Sequence, residues 1–205
     1  MRIAVVGGTG SFGRALAIRL REAGHDVVVG SRNEERAAQA AAEVGVEGAR
    51  NDEAVRGAEL VVLAVKADGL LSTAEELAGA IGTTPVLCVG AELRFGPDGV
   101  RPTLEATSLA ERVAERVSAP VVAGLHSLAA ANLAAEPPDE DALVCGDDAD
   151  AKEMVLELVG RLVSGRAVDA GPLASARSLE GLTAVIVNVN RRYKAHAGVR
   201  VTGLP

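Results

Sequence analysis

The residues of this chain best suited to chemistry are three glycines and a small group of cations. Gly8, Gly10 and Gly13 lie in the run Gly8-Thr9-Gly10-Ser11-Phe12-Gly13, with the spacing G-x-G-x-x-G. Glycine at the first position permits a tight turn. At the second it lets backbone approach a pyrophosphate, and at the third it lets a helix pack close to a strand. The run directly follows the apolar, β-branched stretch Arg2–Val6 and opens a segment of helical periodicity. A helix beginning there points its free N–H groups and positive dipole end at an anion held in the turn. In that βαβ setting the motif reads as a dinucleotide site, to which Thr9, Ser11 and Phe12 also belong.

The end of the second strand selects the cofactor. A carboxylate at that tip would accept hydrogen bonds from the ribose 2′-hydroxyl of NAD. Here Val27-Val28-Val29 runs into Gly30-Ser31-Arg32, with no acid at the tip. A 2′-phosphate pairs well with the Arg32 guanidinium and the Ser31 hydroxyl, and Arg36, one helical turn on, adds a second cation. The cofactor expected is therefore NADP. The plainer alternative makes Arg32 and Arg36 surface charges paired with Glu34 and Glu35. Ala64, Val65 and Lys66 end the third strand at the carboxyl edge of the sheet, where ligands bind at the switch point. They are expected to flank the cofactor ribose, with Lys66 either reaching a phosphate or solvated.

These residues need a scaffold, and the periodicity supplies one. Strand-like runs at 25–29, 59–65, 85–89 and 120–123 alternate with helical segments at 12–23, 33–44, 69–81 and 104–117. Such alternation gives an α/β fold, a Rossmann-type doubly wound parallel sheet with right-handed crossovers. It continues through strand-like 142–145, helical 149–162, strand-like 166–169 and one long final helix, 174–196. Asn51 is expected to cap a short turn running into Gly57. Gly90–Pro102 and Glu136–Asp141 are expected to be loops. Asp147 and Asp148, just before a helix, read as capping residues.

Composition narrows the function. The net charge of −7 over 205 residues argues against a general nucleic-acid binder, which needs a basic face. With Phe12, Phe95 and Tyr193 as its only aromatics, the chain cannot build a stacking platform for bases. Cys88 and Cys145 fit neither a metal spacing nor a disulfide framework and read as small buried thiols. No stretch approaches the roughly 20 apolar residues of a membrane span, and no signal peptide is visible, so a cytoplasmic location is expected. The final helix carries Leu179, Leu182, Val185, Ile186 and Val189, a face suited to burial or to a homodimer contact.

The opening Met1–Gly13 and Val29-Gly30-Ser31-Arg32 resemble the NADPH-dependent reductases of coenzyme F420, the 8-hydroxy-5-deazaflavin. The resemblance continues through Gly124-Leu125-His126-Ser127, Val144-Cys145-Gly146-Asp147-Asp148, Asp169-Ala170-Gly171-Pro172-Leu173 and Leu182-Thr183-Ala184-Val185-Ile186-Val187-Asn188. It implies reversible hydride transfer between NADP(H) and F420. It also implies an NADP-binding domain over 1–140 and a small C-terminal α/β lobe over 141–205 that completes the deazaflavin cleft. Another NADP-dependent reductase acting on ferric iron, a flavin or an imine, or a non-catalytic NADP-binding regulator, are the alternatives. Hydride transfer needs alignment and exclusion of water rather than a nucleophile. His126, after the fifth strand, is the candidate to supply a proton or polarise the deazaflavin. By the resemblance, Gly181 and Thr183 on the last helix are expected to contact that coenzyme. Arg191, Arg192 and Lys194 either suit its anionic tail or form a solvated helix end.

Overall fold

A computed structural model of the chain describes residues 1–204; Pro205, the end of the C-terminal tail, lies outside the described residues. The first half contains β1 (Arg2–Val6), α1 (Ser11–Glu22), β2 (Asp26–Ser31), α2 (Glu34–Val44), β3 (Glu47–Arg50), α3 (Asn51–Ala54), β4 (Leu60–Leu63), α4 (Ala67–Ile81) and β5 (Val86–Cys88). The second half contains β6 (Leu93–Gly96), β7 (Gly99–Pro102), α5 (Leu109–Ala114), β8 (Val121–Gly124), α6 (Ala130–Ala135), β9 (Ala142–Gly146), α7 (Ala149–Gly160), β10 (Ala167–Asp169) and, after a 3-10 turn at Leu173–Ser175, α8 (Ala176–Tyr193).

Eight strands form one sheet in the order β10-β9-β8-β5-β4-β1-β2-β3. From β3 across to β8 every pairing is parallel. The chain runs outward from β1 through β2 to β3, then returns to β4 on the other side of β1. That reversal opens a crevice at the carboxyl ends of β1 and β4, where open α/β sheets bind ligands. The strands beside the crevice are apolar and buried on both faces, from Ile3 to Val6 and from Leu60 to Leu63, as central parallel strands must be. One core lies under α1, α2 and α7, with Leu16, Leu20, Val44 and Val155. The other lies under α3, α4, α5 and the start of α8, with Leu70, Leu77, Leu109 and Leu179. Aliphatic side chains and alanines fill both.

Several elements differ from the sequence expectation. β9 pairs antiparallel to β8 rather than extending the parallel order. The connection from β8 to β9 carries the six-residue α6, which packs against α1. β9 and β10 nevertheless belong to the main sheet, which is continuous across residues 140 and 141. The Gly90–Pro102 segment is a hairpin, β6 against β7, rather than a loop. The helix expected from Leu104 starts at Leu109, because Ser108 and Glu111 form a reciprocal capping box there that satisfies two orphan helix donors. The last helix ends at Tyr193, and Lys194 takes a left-handed φ of 52°.

Candidate active site

The glycine turn sits at the crevice. The positive φ that the turn demands falls at Gly7, at 83°, and not at Gly8 as expected. A Cβ at Gly7 would also stand 2.7 Å from the carbonyl oxygen of Ala64, just beyond β4. Gly8 has a different duty: a Cβ there would stand 2.9 Å from Cγ1 of Val29. Gly13 lets α1 lie against the turn, since its Cβ would meet the oxygen of Gly7 at 2.6 Å. Around Gly10 the protein leaves room, with the oxygen of Gly7 the nearest atom at 3.5 Å. Gly10 caps α1 with no side-chain hydrogen bond, so the first N–H groups of that helix have no capping acceptor. Open space over Gly10 beside uncapped donors is a cradle suited to a pyrophosphate.

A cleft of about 600 Å³ runs from this turn. Gly7, Thr9, Gly10, Ser31, Arg32, Arg36, Ala64, Val65 and Lys66 line it, together with Asn33, Asn51, Asp68, Gly69 and Thr73. Gly8, Ser11, Phe12 and Gly13, also expected at the site, do not line the cleft. Gly8 and Gly13 shape the turn, and the Phe12 ring packs against the core. At the tip of β2 the Ser31 hydroxyl accepts the N–H of Asn33 (3.2 Å), and Asn33 caps α2 by accepting the N–H of Arg36 (2.8 Å). These two bonds fix the turn that carries both arginines. Arg32 and Arg36 are exposed, and among the described residues neither has a carboxylate within 4.0 Å. The alternative pairing with Glu34 and Glu35 is therefore absent. A third cation was missed in the sequence. Arg50 on β3 lies opposite Ser31 in the β2–β3 register and donates from Nη1 to the carbonyl of Arg32 (3.4 Å).

The second group of expected residues lies further along the same sheet edge, outside the 600 Å³ cleft. β8 ends at Gly124, and Leu125 turns the chain at φ 66°, a conformation costly for a branched side chain. That turn brings His126, 6% exposed, against the exit of β5, where its Nε2 lies 3.0 Å from the carbonyl oxygen of Gly90. A carbonyl only accepts, so Nε2 carries the proton and Nδ1 is the lone-pair nitrogen. Nδ1 is buried and has no partner among the described residues. Burial pulls the pKa of the ring down to about 4, against the opposing effect of the Gly90 bond. His126 is thus neutral at pH 7, and its one ring proton is directed at Gly90.

Thr183 joins His126. Its Oγ1 lies 2.9 Å from the carbonyl oxygen of His126 and 3.2 Å from that of Leu179. Gly181 faces the hairpin, with Cγ of Pro102 the nearest atom, 3.8 Å from an ideal Cβ. Two polar residues on α8 that the sequence did not single out hold this region together. Glu180, 1% exposed, accepts the N–H of Leu109 (2.7 Å) and a donor from Arg177 (3.2 Å). Asn188 pairs with both backbone groups of Val100 on β7, at 2.8 and 2.7 Å. Elsewhere Asp148 caps α7 as expected, whereas Asp147 instead accepts the N–H of Leu173, at the start of the 3-10 turn. Cys88 and Cys145 are buried free thiols whose pKa burial pushes up to about 12.

Residues 2–89 match the family model described as NADP oxidoreductase, coenzyme F420-dependent. The F420-dependent NADP reductase of Methanothermobacter thermautotrophicus is 35% identical, over 100% of this chain and 96% of its own length. That of Methanocaldococcus jannaschii is 33% identical, over 100% of this chain and 99% of its own. The chain belongs to the F420-dependent NADP reductase family. A crystal structure from Arthrobacter sp. FB24, provisionally described as an F420-dependent NADP reductase, superposes with a TM-score of 0.87 at 27% identity, covering 99% of this chain and 100% of that one. The fold of this family member is Rossmann-type, and no helix among the described residues is long and apolar enough to cross a membrane.

Proposed function

We propose that this chain catalyses reversible hydride transfer between NADP(H) and coenzyme F420. The observation that carries the proposal is the arginine-rimmed, acid-free tip of β2 beside an open glycine cradle, in a chain similar along its whole length to F420-dependent NADP reductases. With both coenzymes bound, a hydride moves between C4 of the nicotinamide and C5 of the deazaflavin, so that NADPH, F420 and one proton become NADP⁺ and reduced F420.

The chain's own work is binding and alignment. Gly7 to Gly10 and the start of α1 hold the pyrophosphate, with Ser11, Phe12 and Gly13 forming the first turn behind them. Ser31, Arg32 and Arg36 take the 2′-phosphate, an anion that two unpaired guanidiniums suit. Ala64, Val65 and Lys66 flank the ribose. His126, Gly181 and Thr183 line the deazaflavin side, which α8 and the 141–205 segment complete as a small lobe on the common sheet. His126 acts there as a neutral group, with an acceptor at Nδ1 and its Nε2–H bound to Gly90, so water is the source of the proton. The substrates are small-molecule coenzymes, and two diffusible coenzymes suit a cytoplasmic enzyme. The exposed residues Val185, Val189 and Tyr193 of α8 support a homodimer.

Mixing the purified protein with NADPH and oxidised F420 tests the activity directly. Loss of the deazaflavin absorbance together with that of NADPH is the expected result. An unchanged deazaflavin spectrum, with turnover on ferric, flavin or imine acceptors instead, would replace this reading with the other reductase chemistry.

A further inference from the structure

One side chain in the cleft has no employment in the fold. Asn51 was expected to cap a turn, but it is the first residue of α3, whose cap is Arg50, and its side chain makes no capping bond. The residue is 9% exposed, and Oδ1 is fully buried with no hydrogen-bond partner among the described residues. A buried polar atom left unpaired is costly and uncommon. Its neighbours deepen the point. A Cβ on Gly30 would stand 2.9 Å from Asn51 Oδ1 and 3.3 Å from Cβ of Ala54. The backbone of β2 is bare where the carboxamide needs room, one residue before Ser31.

Register fixes where that carboxamide lies. Gly30 pairs with Ala49 and Ser31 with Arg50 across β2 and β3. Asn51 therefore follows the partner of Ser31, at the floor of the cleft beside the tip of β2, and it lines that cleft. A carboxamide offers an acceptor and a two-proton donor on one rigid plane, and it carries no charge to repel a phosphate.

We propose that Asn51 is a positioning and specificity residue for the adenosine end of NADP(H): with Oδ1 turned in against Gly30, its amide NH2 is the group left to donate to the phosphorylated ribose from the floor of the cleft, and Gly30 keeps the space that holds the carboxamide. The proposal rests on NADP occupying the glycine-turn cleft. It makes the β3–α3 junction a third wall of the 2′-phosphate pocket, beside the β2 tip and the first turn of α2.

Calorimetric titration with adenosine 2′,5′-bisphosphate tests it without turnover. Asn51→Asp keeps the shape and adds a negative charge. It should weaken that ligand by at least about tenfold, while weakening 5′-AMP, which lacks the 2′-phosphate, by far less. Asn51→Ala should weaken the bisphosphate by several-fold, on the scale of one lost hydrogen bond. Gly30→Ala should weaken it in the native background and have no further effect in the Asn51→Ala background, the non-additivity expected of residues that share one space. Unchanged bisphosphate affinity in both Asn51 variants, or equal losses for bisphosphate and AMP in Asn51→Asp, would overturn the proposal. Failure of both variants to fold, read by thermal melting, would assign Asn51 to the scaffold and overturn it too. If the native protein does not bind the bisphosphate at all, the NADP reading of the cleft falls, a result distinct from any variant effect.

Discussion

The Nε2 of His126 lies 3.0 Å from the carbonyl oxygen of Gly90, and that contact joins the exits of β8 and β5 at the sheet edge. It commits the only proton of a neutral ring. Because burial lowers the folded pKa to about 4, below an unfolded value near 6.5, the unfolded chain takes up the proton first as pH falls. The stability contributed by the neutral ring is therefore complete above pH 6.5 and is lost between 6.5 and 4. That difference sets an upper scale of roughly 3 kcal/mol. Denaturant midpoints across that window should fall more steeply for the native protein than for His126→Gln. Parallel slopes would show that the ring is not held neutral.

The glycine turn separates two kinds of glycine. Gly10→Ala adds a methyl whose nearest neighbour is 3.5 Å away, whereas Gly13→Ala forces one to 2.6 Å from the oxygen of Gly7. Gly10→Ala should therefore melt close to the native temperature yet bind NADPH at least about tenfold more weakly, because the methyl fills the phosphate's approach. Gly13→Ala should lose stability by about 1–3 kcal/mol, as overpacking does. Thermal melts and NADPH titrations of the two variants check both. A Gly10→Ala protein with native NADPH affinity would remove the cradle from the cofactor site.

Arg32 is exposed at the tip of β2 and has no carboxylate to satisfy it. Arg32→Ala should weaken NADPH by about 1–3 kcal/mol, the range for a charge-assisted hydrogen bond, and leave NADH nearly unaffected. Arg50, which donates to the carbonyl of Arg32, stands further from the cleft, so Arg50→Ala should shift the same ratio by less. Binding constants for both cofactors at one ionic strength decide this. Equal losses for NADPH and NADH would refute the selector role.

How much of this was legible in the sequence depends on range. The glycine turn and Ser31-Arg32-Arg36 were readable because a βαβ unit is local and its spacing is dictated by backbone geometry. β3 was not, since Glu47-Gly48-Ala49-Arg50 has no apolar alternation. It pairs with β2 and lies so close to α2 that a Cβ on Gly48 would stand 2.6 Å from the oxygen of Ala37, which only the folded packing reveals. The hairpin hid behind its glycines and prolines, and Asn188, which holds it, is 88 residues away from Val100. The direction of β9 has no signature in an apolar run. His126 could be singled out as a residue type near a strand end, but its partner Gly90 and hence its neutral ring belong to tertiary structure. Nothing in the sequence singles out Glu180; its burial against the start of α5 belongs to the fold.

Three exposed side chains on α8 bear on assembly. Val185, Val189 and Tyr193 are 57%, 37% and 72% exposed. Their spacing of four residues sets them along one helix face. Phe95 on the hairpin, 70% exposed, means that two of the chain's three aromatics face solvent in the single chain. An apolar face of this kind, on the helix whose residues are proposed to complete the deazaflavin side, suits an isologous contact with a second copy. Val189 is the centre of the row, so Val189→Asp should put a charge at the middle of that contact and raise the dimer dissociation constant by at least about tenfold, as expected for an unpaired buried charge. Because the site faces solvent in one chain, the monomer's melting temperature should change little. Sedimentation equilibrium over a range of protein concentrations measures the association directly. A native protein that remains monomeric at micromolar concentration, or a Val189→Asp variant that associates as the native one does, would take the dimer contact away from α8.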